Sequence, residues 1–144
     1  MSLSADDLAE LTARGSRYAE AFLKNNKLET IYRFHSLFLY GSAARYHLGL
    51  ASGYHDFDIE AVFRTLSDND KRGFVSTHGK PKNLPPLEGK IVQVMRNVYS
   101  GSSADAEAAI RELAASKHSK RWKSIKANPV ILLYPQTRVL WHSM

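Results

Sequence analysis

Leu8, Leu11, Tyr18, Phe22 and Leu23 recur at helical spacing near the start of the chain, and the pattern predicts a helix over residues 4–26. Ser4 followed by Asp7 has the form of a capping box with a shorter acid, and Asp6 and Asp7 suit the positive end of a helix. Gly15 is a point of strain within this run, and Asn25-Asn26 ends it. Residues 34–40 are dense in apolar side chains and read as a strand closed by a Gly41-Ser42 turn. Ala43 to Leu50 read as a short helix, broken at Ser52-Gly53.

Strict alternation follows over residues 56–63. Phe57, Ile59, Ala61 and Phe63 share one face, and Asp56, Asp58, Glu60 and Val62 share the other. That is a half-buried strand with a polar working face. A polar turn from Ser67 to Lys71 leads to a short strand near 73–77. His78 to Gly89 carries three of the chain's five prolines and reads as a loop. Lys90 to Val98 is another strand, and Ser102 or Ser103 caps a helix of roughly 104–116. The end of the chain, from Pro129 to Trp141, reads as two strands around a Pro135-Gln136 turn; Trp122, Trp141 and Tyr134 are expected in the core. Mixed strands and helices with hairpin-like links predict one α/β (α+β) domain over residues 1–144, helices covering one sheet.

Composition narrows the chemistry. The 144 residues include no cysteine, which excludes disulfides, thiolate metal sites and a cysteine nucleophile. No apolar stretch is long enough to span a bilayer, and the early acids of the N-terminus are unlike a secretion signal, so a cytoplasmic protein with no membrane partner is expected. The formal charge of +6 suits polyanionic partners. Much of it lies in Arg111, Lys117, Lys120, Arg121, Lys123 and Lys126, set against Glu112 alone over residues 111–126. The six histidines form no ligand pair of the His-x-x-x-His kind. Neither a P-loop nor a nucleophile elbow is present.

The candidate chemistry lies between Leu37 and Phe63. Asp56 and Asp58 project from one face of a strand with Cα atoms about 6–7 Å apart, a spacing at which two carboxylates can share hard divalent cations. Gly41-Ser42 offers a backbone turn that a phosphate approaches without meeting a Cβ. Arg45, one turn on, can reach the same phosphates. Lys80 and Lys82 sit in the basic loop, where they keep the chain soluble or close over a triphosphate.

The Gly41-Ser42 turn after an apolar strand, the following Arg45, and the Asp56-x-Asp58 strand resemble the minimal nucleotidyltransferase domain of the DNA polymerase β-like superfamily. The resemblance covers roughly residues 34–98. It implies a small mixed β-sheet with helices packed on one face and an active site on the open face. It also implies transfer of a nucleoside monophosphate from a nucleoside triphosphate, with release of pyrophosphate and dependence on Mg²⁺ or Mn²⁺. Under it Asp56 and Asp58 are catalytic metal ligands, and Gly41, Ser42 and Arg45 contact phosphate. The third acidic position falls on Gln93, whose neutral amide takes no proton from an attacking hydroxyl. Glu60 shares the strand face and is a candidate substitute.

Two functions stay open at this point. One is nucleotidyl transfer to a hydroxyl on a protein, a nucleic-acid end or a small molecule, with an oligomer or partner chain gripping the acceptor. The other is a catalytically degenerate domain that binds nucleotide or RNA.

Overall fold

The computed structural model describes residues 2–66, 80–116 and 130–140. Helix α1 spans Ala5–Asn25, and the Ser4 hydroxyl caps it by accepting the Asp7 N–H at 3.0 Å. Its buried stripe is Leu8, Leu11, Gly15, Ala19 and Leu23, spaced by three and four residues as one helix face requires. Gly15 does not strain the helix. A Cβ there would lie 2.5 Å from Leu37 Cδ2, so the missing side chain lets α1 settle onto the sheet beneath it.

That sheet has six strands in the order β3-β4-β2-β1-β5-β6. They are β1 Tyr32–Tyr40, β2 Phe57–Thr65, β3 Lys82–Leu87, β4 Lys90–Tyr99, β5 Val130–Tyr134 and β6 Arg138–Leu140. Among the described residues only β2 and β4 run parallel; the other neighbours are antiparallel. The short helix α2, Gly41–His47, follows β1 directly, and α3, Ala106–Ser116, follows β4.

Helices cover both faces of the sheet, not one. Leu37, Leu39, Phe57, Ile59, Ala61, Phe63, Val92 and Val94 pack with Leu8, Leu11, Ala19 and Leu23 of α1 and Ala43 and Ala44 of α2. On the opposite face Phe38, Tyr40, Val62 and Tyr99 pack with Ala106, Ala109, Ile110 and Leu113 of α3. Strand β1 is therefore buried on both sides from His35 to Tyr40, which explains the apolar run from Leu37 to Tyr40. The polar face of β2 is correspondingly less open than its alternation suggests. Glu60 and Val62 are fully buried, and the Glu60 carboxylate accepts from Asn97 Nδ2 across the β2–β4 pair.

The proline-rich segment is a second correction. Residues 82–87 form edge strand β3 rather than loop, antiparallel to β4, with an irregularity between Leu84 and Leu87 where Pro85 and Pro86 fall. Prolines are tolerated there because an edge strand leaves one side without ladder bonds. Arg14 secures the irregular stretch from α1, its Nη1 donating to the Pro85 and Pro86 carbonyls at 2.6 and 3.1 Å while Nε binds Glu10 at 2.7 Å. That guanidinium holds the Glu10 carboxyl below its ordinary range.

Tyr134 is not a core residue. It stays 36% exposed and stacks on Phe34 with ring centroids 4.6 Å apart. The expected strand at 73–77, the basic positions 117–126 and both tryptophans lie outside the described residues. Among the described residues, no helix is long and apolar enough to cross a membrane.

Candidate active site

Antiparallel pairing of β1 with β2 sets Tyr40 opposite Asp58. The chain leaving β1 thus arrives beside that carboxylate. Gly41 takes a φ of +75°, and a Cβ at this position would stand 2.6 Å from Asp58 Oδ2. The left-handed backbone favours glycine here, and a Cβ would displace the Asp58 carboxylate. Ser42 is the next link: its Oγ accepts the His55 N–H at 3.1 Å, tying the start of α2 to the residue before Asp56. A serine hydroxyl that accepts one bond keeps its own proton to donate elsewhere.

Arg45 lies four residues after Gly41 in α2, on the same face of the helix, and is half-buried. The intervening loop to β2 is fastened by aromatic packing. Tyr54 stands 4.9 Å from the Tyr46 ring and 5.1 Å from Phe57, and Lys90 Nζ lies 4.8 Å over the Tyr54 ring. Burial pushes the Tyr54 phenol up, with smaller contributions from Asp7, Glu88 and Tyr46. Sequence reading passed over Tyr54 and Lys90. The available signal was a single large aromatic residue inside an otherwise small and polar loop, Ala51 to His55.

Strand β4 lies parallel to β2 on its other side, with Gln93 in register with Asp58. Asn83 of β3 pairs in turn with Gln93. Register partners point to the same side of a sheet, so Asn83, Gln93 and Asp58 form a polar row across three adjacent strands that reaches Gly41 at its end. Asp58 and Gln93 are each half-buried. Asp56 lies just before β2, also half-buried, and makes no ion pair among the described residues. Glu60 is not brought to this row: it lies fully buried one register step inward, bonded to Asn97. Lys82 is exposed on β3, and Lys80 is exposed with its carbonyl accepting from Arg96 Nη2 at 3.5 Å.

The chemistry of these side chains is that of hard-cation ligands. Two half-buried carboxylates and an amide oxygen are all-oxygen ligands of the kind Mg²⁺ takes, and Mg²⁺ completes its shell with water and substrate phosphates rather than a protein cage. No group of three or more His, Asp or Glu side chains arranged for a metal occurs among the described residues. Compared with protein-family models, with curated proteins and with solved structures, the chain matches none.

Proposed function

We propose that the chain is a nucleotidyltransferase-like domain that takes a nucleoside triphosphate at the Gly41–Asp58 junction and transfers its nucleoside monophosphate to an acceptor hydroxyl. The observation that carries this reading is the close approach of the Gly41 backbone to the Asp58 carboxylate. Gly41 and Ser42 present backbone and hydroxyl donors to the triphosphate, and Arg45 neutralises it from the same helix face. Asp56 and Asp58 hold Mg²⁺ or Mn²⁺, which when bound neutralises charge on the leaving pyrophosphate. In the reaction the acceptor oxygen bonds to the α-phosphorus, the bond from that phosphorus to the bridging oxygen breaks, and pyrophosphate leaves. Gln93 stands beside Asp58 and orients the acceptor by hydrogen bonding, so the hydroxyl proton is lost to water.

Gln93 also favours a second reading, in which the domain binds nucleotide and metal but does not turn over. Incubation with α-labelled triphosphates, Mn²⁺ and protein, RNA and small-molecule acceptors separates the two. Label transfer that disappears in Asp58→Asn supports the enzyme. Metal-dependent nucleotide binding without transfer supports the degenerate domain, and absence of both removes the site. Placing a carboxylate there with Gln93→Asp is expected to raise transfer by about a hundredfold or more, the ordinary scale of a positioned general base.

A further inference from the structure

The other end of the β1–β2 pair has the opposite character. Arg33 and Arg64 are direct register partners, although like charges facing each other across strands destabilise a sheet. Neither forms an ion pair among the described residues. Arg64 Nη1 donates to the Ser102 carbonyl at 3.3 Å, while its Nε is shut off from solvent with no hydrogen-bond partner among the described residues. Arg33 and Arg64 line a concavity of about 470 Å³ together with His35, Tyr134 and Leu66. Tyr134 and Leu66 are among the exposed large apolar side chains, at 36% and 41%. His35 is fastened in the wall by Ser36 Oγ at 3.0 Å and the Ser103 carbonyl at 2.9 Å.

We infer that this concavity is a second nucleotide site, in which Arg33 and Arg64 hold a phosphate monoester or diester and Tyr134 stacks on the base. Two facing guanidiniums with no ion pair among the described residues present planar N–H donors that match phosphate oxygens, and a bound anion would offset their mutual repulsion. Tyr134 has one ring face backed by Phe34, which fixes it as a rigid platform, and its exposed remainder is available to a heterocycle. The volume lies within the range of about 300–1,000 Å³ usual for small-ligand sites. Arg64 lies six positions beyond Asp58 along β2, about 20 Å at strand rise, so one mononucleotide cannot occupy both places. The inference therefore does not rest on the metal-site reading.

Titration calorimetry on the whole chain, in chelator and without divalent metal, tests it with adenosine monophosphate, inorganic phosphate and adenosine. The monophosphate is expected to bind most tightly. Arg33→Gln and Arg64→Gln are each expected to weaken it by about tenfold or more, the loss of a charge-assisted bond. Tyr134→Ala should reduce its affinity to that of inorganic phosphate, and Asp58→Asn should leave it unchanged. Arg33→Glu is expected to raise the melting temperature, by replacing repulsion with attraction to Arg64, while abolishing binding. Because Arg33 is exposed, its variants report on the site without disturbing the core. Binding no tighter than adenosine's removes the phosphate contact, and binding no tighter than inorganic phosphate's removes the base platform. A loss in Asp58→Asn equal to that in Arg64→Gln moves the nucleotide to the other end of the sheet; any of these three overturns the inference.

Discussion

The two faces of the sheet solve burial differently. Under α1 and α2 the buried side chains from Leu37 to Val94 are apolar without interruption. Under α3 the same strands bury Glu60 and Asn97 together with Phe38 and Val62, and the face is partly open toward both strand ends, at Asp58 and at Arg64. One face is built to hold the fold. The other keeps polar groups at the cost of stability, as expected where a working surface begins.

Truncation on the apolar face should give the largest loss. Leu37→Ala, which empties space against Gly15 as well as the core, is expected to cost about 3–5 kcal/mol by urea denaturation. On the α3 face the cost is set by polarity instead. Asn97→Leu removes the donor to a buried carboxylate, an expected loss of about 2–3 kcal/mol. Adding Glu60→Gln to that variant should recover part of the loss, because a neutral amide is easier to bury. If Asn97→Leu proves neutral, the two faces do not differ in the way described.

The junction between the faces is tested with a pair of glycines. Gly41 and Gly89 both have positive φ, +75° and +71°, but nothing surrounds a Cβ added at Gly89. Gly89→Ala is expected to lose about 1–2 kcal/mol of backbone strain alone. Gly41→Ala should lose about 1–3 kcal/mol more through overlap with Asp58, and Asp58→Ala in the same chain should return that excess. Equal losses at the two glycines would mean that Asp58 does not crowd Gly41.

The smallest effect is one of pH. His47 Nδ1 accepts the Leu3 N–H at 3.1 Å, and burial pushes the imidazole below its ordinary value near 6.5. The unfolded chain then binds the proton more readily than the folded one. This contribution to stability is present above about pH 6.5 and is lost as pH falls toward the lowered native value. His47→Gln, which keeps an acceptor, should flatten the pH dependence of the melting temperature across that window.

Much of the frame was legible in the chain. Helix α1 followed from its cap and apolar stripe, and β1, β2 and β4 from apolar density and alternation. Strand β3 was hidden because Pro85 and Pro86 read as loop residues, and the Arg14 contacts that hold their carbonyls come from a helix 71 and 72 residues away. The covering of the second face was hidden for a similar reason. Glu60 in an alternating strand reads as solvent-facing until Asn97, 37 residues later, is seen to bond it. At the candidate site the sequence order of Gly41, Asp56 and Asp58 was visible, but their approach depended on the β1–β2 register. The pairing of Arg33 with Arg64 depended on that same register and carried no local signal at all.

In the proposed function Asp58 and the Gly41 turn together hold a cation through a triphosphate. Titrating Mn²⁺ by electron paramagnetic resonance, with and without triphosphate, tests it most directly in the wild type and in Asp58→Asn. The account predicts that triphosphate tightens Mn²⁺ binding to the wild type and does nothing in the variant beyond what it does in buffer. Equal Mn²⁺ binding by the two proteins in the presence of triphosphate would contradict it.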